Sequence, residues 1–195
     1  LKGPDAIFGL IQFHLNQLSA HLAEKIVFIA DGARWIWNRV STLIGSLKYT
    51  PKKVYELVDF YHAVEHLAKA ADLRKGWTSS KKRRWVKKQR HLLIKGHVTQ
   101  VVDSLNELCR GRHSKKLATE RNYFVLNQHR MCYQTLKEQN LPIGSGAIES
   151  AVRRVVNLRL KGASIYWLET TAEAMLFLRS YYKAGRWNSL KSLVF

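Results

Sequence analysis

The chain has 195 residues, with 33 Lys and Arg against 14 Asp and Glu, a formal net charge of +19 and a pI near 10.2. Its 46% hydrophobic content, with only 3 Pro and 11 Gly, excludes a disordered, collagen-like or low-complexity segment and suits one large domain, or one domain carrying an insertion. No apolar run reaches the ~18 residues of a membrane span, and two cysteines, Cys109 and Cys132, without metal-ligand spacing, point to a reducing, intracellular compartment.

The first residues, Leu1-Lys2-Gly3-Pro4-Asp5, resemble neither a signal peptide nor a natural start, which suggests a chain that begins inside a longer protein. Residues 4 to 23 carry Ile7, Leu10, Ile11, Leu15, Leu18 and Leu22 at amphipathic helical spacing. The continuous apolar run Ile26-Val27-Phe28-Ile29-Ala30, stopped by Asp31-Gly32, reads as a strand buried on both faces of a parallel sheet. Helical spacing resumes over 34 to 44, a second short strand is expected over Val54 to Val58, and helix returns through Val64, Leu67 and Ala71. From Leu73 to Val102 there is no carboxylate, while ten Lys or Arg occur on a helical pattern; a further helix is expected over 115 to 139. The breakers Pro142, Gly144 and Gly146 precede a helix starting near Ala147, and a last helix is expected from about Tyr166 to Tyr182.

Two carboxylates stand at marked positions. Asp31 ends the apolar strand, where α/β sheets collect ligands, yet an Asp there also caps the helix that follows. Glu149 lies in the first turn after Gly144-Ser145-Gly146, where it can serve as a ligand or complement the helix dipole and pair with Arg153 four residues on.

Together, Phe28-Ile29-Ala30-Asp31-Gly32-Ala33 with Trp35, then Asp59-Phe60-Tyr61-His62, then Pro142-Ile143-Gly144-Ser145-Gly146-Ala147-Ile148-Glu149-Ser150, resemble the later part of a DDE transposase catalytic domain, closest to the Kra-type insertion-sequence transposases and their Mutator-like relatives. The resemblance implies an α/β fold with a ribonuclease-H-like (α/β/α) core, incomplete at its amino end and interrupted by an all-helical insertion before the final catalytic helix. On that reading residues 1–72 are the partial core, 73–140 the basic helical insertion and 141–195 the closing helices. It implies that Asp31 and Glu149 are catalytic and hold metal, two Mg²⁺ (or Mn²⁺) ions in a complete site, and that Asp59 and His62 are an accessory pair. The 118 residues from Asp31 to Glu149 suit members with such an insertion. A first Asp belongs on a strand well before Asp31, yet only Asp5, beside Pro4, and Glu24 precede it. The implied activity is metal-dependent DNA strand cleavage and strand transfer in transposition, and the alternative is a catalytically dead DNA-binding remnant. The implied setting is a bacterial cytoplasm, nucleoid-associated when DNA-bound, with transposon ends and target DNA as partners, no membrane, and homo-oligomer assembly open.

The charge bears on this independently. A strongly basic chain of ordinary hydrophobicity suggests a polyanionic partner, nucleic acid first and an anionic membrane surface second. Lys81, Lys82, Arg83, Arg84, Lys87 and Lys88, interleaved with Trp85, are the leading DNA contacts, and Arg153 and Arg154 follow Glu149 as further ones. A rival motif is His62-Ala63-Val64-Glu65-His66, the H-x-x-E-H pattern of a class of zinc peptidases, in which two His share a helix face, Glu65 is the base and a later Glu such as Glu138 is the third ligand.

Overall fold

The computed structural model describes residues 3–47, 52–111, 113–162 and 165–194. The chain divides into two compact units, 1–144 and 145–195.

The first unit opens with α1 (Gly3–Gln17), followed by β1 (Lys25–Ala30), α2 (Arg34–Gly45), β2 (Lys53–Val58) and α3 (Phe60–Asp72). Then come α4 (Ser79–Ile94), α5 (Val98–Cys109), α6 (Lys115–Asn127), a 3₁₀ turn at Gln128–Arg130 and α7 (Tyr133–Glu138). β1 and β2 pair in parallel with Lys25 opposite Lys53 and Ala30 opposite Val58, the crossover being α2. These are the only strands among the described residues.

The expected ribonuclease-H-like α/β/α core is therefore not what this chain builds: it is mainly helical, around a two-stranded parallel sheet. The physical reason lies in β1. Its unbroken apolar run reads as a strand covered on both faces, but β1 has one neighbouring strand and Ile26 to Ala30 are all only half-buried. Beyond β2 the apolar residues recur at helical rather than strand period, so they are buried between helices.

α3 shows how that core forms. Phe60, Ala63, Leu67, Ala70 and Ala71 make one buried stripe, and the small Ala63 and Ala70 let neighbouring helices approach closely. Against it and β2 pack Leu93 of α4, Val101 and Leu105 of α5, Phe124 of α6, and Tyr133 and Leu136 of α7, all fully buried. The phenyl ring of Phe60 meets that of Tyr133 edge-on at 5.1 Å. By contrast α1 buries no residue, and Leu10, Ile11 and Phe13 are exposed. The helix expected over 115 to 139 is broken at Gln128–Arg130, where Arg130 turns to pair with Glu56 of β2 at 2.5 Å.

The second unit comprises α8 (Gly146–Val152), a π turn at Arg153–Asn157, α9 (Leu158–Leu160), α10 (Glu169–Lys183) and α11 (Trp187–Val194). The π turn frees backbone carbonyls, and the Arg179 guanidinium of α10 donates to two of them, Arg154 O and Val155 O. α10 starts three residues later than expected, past the exposed Tyr166, and α11 was not anticipated from the sequence pattern. No helix among the described residues is long and apolar enough to cross a membrane.

Candidate functional site

The parallel register brings two of the expected site residues together. Asp31 follows Ala30 and Asp59 follows Val58, and Ala30 and Val58 are partners, so the two residues follow the carboxyl ends of neighbouring strands, which lie about 4.8 Å apart in the pairing direction. The ladder extends into this corner: the Asp59 backbone N–H donates to Ala30 O at 2.8 Å.

Each carboxylate has one oxygen occupied in ending its strand. Asp31 Oδ1 accepts the Ala33 N–H at 2.8 Å, closing the turn into α2, and Trp37 Nε1 donates to Asp31 O at 2.9 Å. Asp31 is otherwise exposed. Asp59 is buried and is the N-cap of α3, its Oδ1 accepting from the N–H groups of Tyr61 at 2.7 Å and His62 at 3.0 Å. The Phe60 N–H, free at a helix start, donates to Ile143 O, which draws the 141–144 loop against this corner. The loop and the Tyr61 ring meet closely there: a Cβ on Gly144 would lie 2.7 Å from the ring, which would have to shift.

His62 and His66 project one turn apart from α3, with ring centroids 5.1 Å apart and the rings edge to face. His66 is held on two sides. Its Nδ1 lies 2.6 Å from Glu120 Oε2, and its ring stacks on Tyr123 at 3.7 Å, both partners coming from α6. Burial lowers the pKa of His66 more than the Glu120 hydrogen bond and charge raise it, so the neutral imidazole is favoured. His62 Nδ1 sits 3.5 Å from Glu65 Oε2. The H-x-x-E-H residues are thus engaged with one another and with α6.

Tyr123 closes the corner. Its ring fills the space left by Gly32, where a Cβ would come within 2.3 Å of it, and its buried hydroxyl has no hydrogen-bond partner among the described residues. Burial first, then the Asp31 and Asp59 charges, hold this phenol protonated well beyond its usual range. Neither Glu120 nor Tyr123 was identifiable as a site residue from the sequence, because their link to Gly32 and His66 exists only after α6 packs on α3.

Glu149 lies in the first turn of α8, its N–H donating to Ser145 O at 3.1 Å; its side chain is exposed and makes no ion pair among the described residues. Arg153 and Arg154 are exposed at the following π turn. Oxygen ligands such as Asp31 and Glu149 suit a hard divalent cation. Among the described residues, however, no group of three or more His, Cys, Asp or Glu side chains is arranged to hold a metal ion.

The basic residues of α4 divide by helix face. At about 100° per residue, Gln89 and Leu93 are buried, Trp85, Val86 and Leu92 flank them, and Lys82 falls in the same sector. Lys82 Nζ accordingly reaches back to Asp72 at the end of α3, at 3.1 Å from Oδ1 and 3.2 Å from the backbone O. Lys81 lies over the Trp77 ring at 5.3 Å. Arg83, Arg84, Lys87 and Lys88 share the opposite, exposed face and make no ion pair among the described residues. No family model matches this chain, and neither a curated protein nor a solved structure matches it.

Proposed function

We propose that this chain handles DNA in a transposition reaction of the DDE type, contributing carboxylates to metal-dependent strand cleavage and strand transfer. The observation that carries the reading is the registered pair of strand ends, with Asp31 and Asp59 following the carboxyl ends of neighbouring strands. Asp31 keeps one carboxylate oxygen without a partner among the described residues and is the expected metal ligand, and Glu149, exposed in the first turn of α8, offers a second carboxylate. Asp59 spends its Oδ1 on the start of α3, which suits the accessory role expected of it with His62. A divalent cation bound there would stabilise charge on the oxygens of a phosphodiester during displacement.

What the chain's own residues do is bind and orient. Arg83, Arg84, Lys87 and Lys88 offer cations to a phosphate backbone without reading its bases, and Arg153 and Arg154 offer two more beside Glu149. The same reading sets the protein's working place at bacterial DNA. A second reading, a DNA-binding protein without catalysis, is favoured by the lack of a three-ligand group among the described residues. Calorimetric titration of the DNA-bound chain with Mn²⁺ separates the two. Saturable binding that disappears in Asp31→Ala supports the catalytic reading; no binding, or the same binding in Asp31→Ala, rejects it in favour of the second.

A further inference from the structure

Behind Asp31 the fold leaves a cavity of about 360 Å³, lined in part by Gly32, Arg34, Trp37, Leu126 and Asn127. That volume lies in the range of small-molecule sites. One wall is cationic. Arg34 is the first residue of α2, exposed and without an ion pair among the described residues, and the N–H groups of Arg34 and Trp35 have no acceptor among them. A free guanidinium beside the open N–H groups of a 12-residue helix attracts an anion. The other cation at the wall, Arg130, is neutralised by Glu56 and lies over the Trp37 ring at 4.6 Å.

A second wall is apolar, formed by Leu126, which is 70% exposed, and by the edge of the buried Trp37. At the back stands Asn127, only 5% exposed. Its Nδ2 donates to Tyr123 O at 2.9 Å, which leaves a second amide proton, and its Oδ1 accepts nothing from the described residues. The Asn127 carboxamide thus offers the cavity an acceptor and a spare donor, beside the polar side chains of Asn38 and His129. An inorganic anion could use Arg34 and the spare amide proton of Asn127 but not Leu126; a nucleotide uses all three.

We infer that this cavity is a nucleotide pocket, taking one nucleotide of a DNA strand with its phosphate at Arg34 and the start of α2, its base against Leu126 and Trp37, and the base edge at Asn127. The inference rests on the DNA reading above and adds where a strand is gripped beside Asp31. Adenine suits the pocket, since a carboxamide pairs with its N6 donor and N7 acceptor together.

The ¹⁵N-labelled 195-residue chain is titrated, with chelator present, against deoxyadenosine monophosphate, deoxyadenosine and inorganic phosphate. The reporters are the Trp37 indole N–H, which bonds to Asp31 O, and the Asn127 side-chain amide. The nucleotide should shift both signals saturably, and the nucleoside and phosphate should each bind at least about tenfold more weakly, a difference of ~1.4 kcal/mol. Arg34→Ala and Leu126→Asp both alter exposed residues, so the fold survives, and each should weaken nucleotide binding about tenfold or more. Equal binding of nucleotide and inorganic phosphate, unmoved Trp37 and Asn127 signals, or unaltered binding in both variants overturns the proposal. Because no metal is present, this failure is distinct from failure of the metal site. If nucleotide binding fails while DNA still binds α4, the pocket falls and the DNA reading stands.

Discussion

Replacing Arg83, Arg84, Lys87 and Lys88 together by Ala tests whether the exposed face of α4 holds DNA. From Arg83 to Lys88 the helix advances about 7.5 Å, a length over which duplex DNA carries about four phosphate charges. Four cations on one face can therefore meet about four phosphates, each contributing roughly −0.9 to the slope of log K against log salt. The wild-type slope should be steeper than the variant's by about 3.6 units; between 50 and 200 mM salt the wild type then loses about 150-fold more affinity than the variant does. Lys82 is left in place because it ties α4 to Asp72, and Ala is the strongest helix former. Fluorescence anisotropy with a labelled duplex at several salt concentrations measures the slope, and circular dichroism establishes that the helix remains. An unchanged slope in the folded variant refutes the reasoning, since no counterions would then be released at these positions.

Three further outcomes follow from the packing. Tyr133 has a buried hydroxyl with no hydrogen-bond partner among the described residues, so Tyr133→Phe should leave stability unchanged or raise it by about 1 kcal/mol; a loss of stability on denaturant unfolding would show that the hydroxyl is bonded. His66 has a lowered pKa in the fold, through burial that outweighs Glu120 and is aided by Lys69 and His62. Its contribution is intact above the unfolded value of about 6.5 and is lost as pH falls through the lower folded value, because the unfolded chain takes up the proton first. The melting temperature should therefore drop below pH 6.5 more in wild type than in His66→Gln, and parallel profiles would contradict this. Elemental analysis of the purified protein should find no stoichiometric zinc, since His66 is committed to Glu120 and Tyr123; one zinc per chain that is lost in His66→Ala would restore the peptidase motif.

Local features of the chain were legible where a short stretch decides the outcome. The run from Ile26 to Ala30 and that from Val54 to Val58 form strands because β-branched and aromatic residues are bounded by turn formers. Asp31 and Asp59 mark strand ends for the same local reason, each side chain satisfying N–H groups two or three residues on. Fold class was not legible. An apolar run shows that a strand avoids water without showing how many strands cover it, and β1 gains one. Nor could sequence foresee the π turn after Glu149, whose carbonyls depend on Arg179 some 25 residues later. The basic run was visible, but its division was not: Lys82 differs from Arg83 only in the face it occupies once Gln89 and Leu93 are buried. Glu120, Tyr123 and Asn127 carry no motif, and they matter because α6 packs against α3 and the turn after β1.

The proposed function turns on a divalent cation held at Asp31 while DNA is bound. Paramagnetic broadening by Mn²⁺ tests it most directly, read from backbone amide signals of the chain in complex with a DNA duplex. The amides around Asp31 should broaden at substoichiometric Mn²⁺, and Asp31→Asn should abolish the effect. Amides around Asp31 that stay sharp, or that broaden equally in Asp31→Asn, would contradict it.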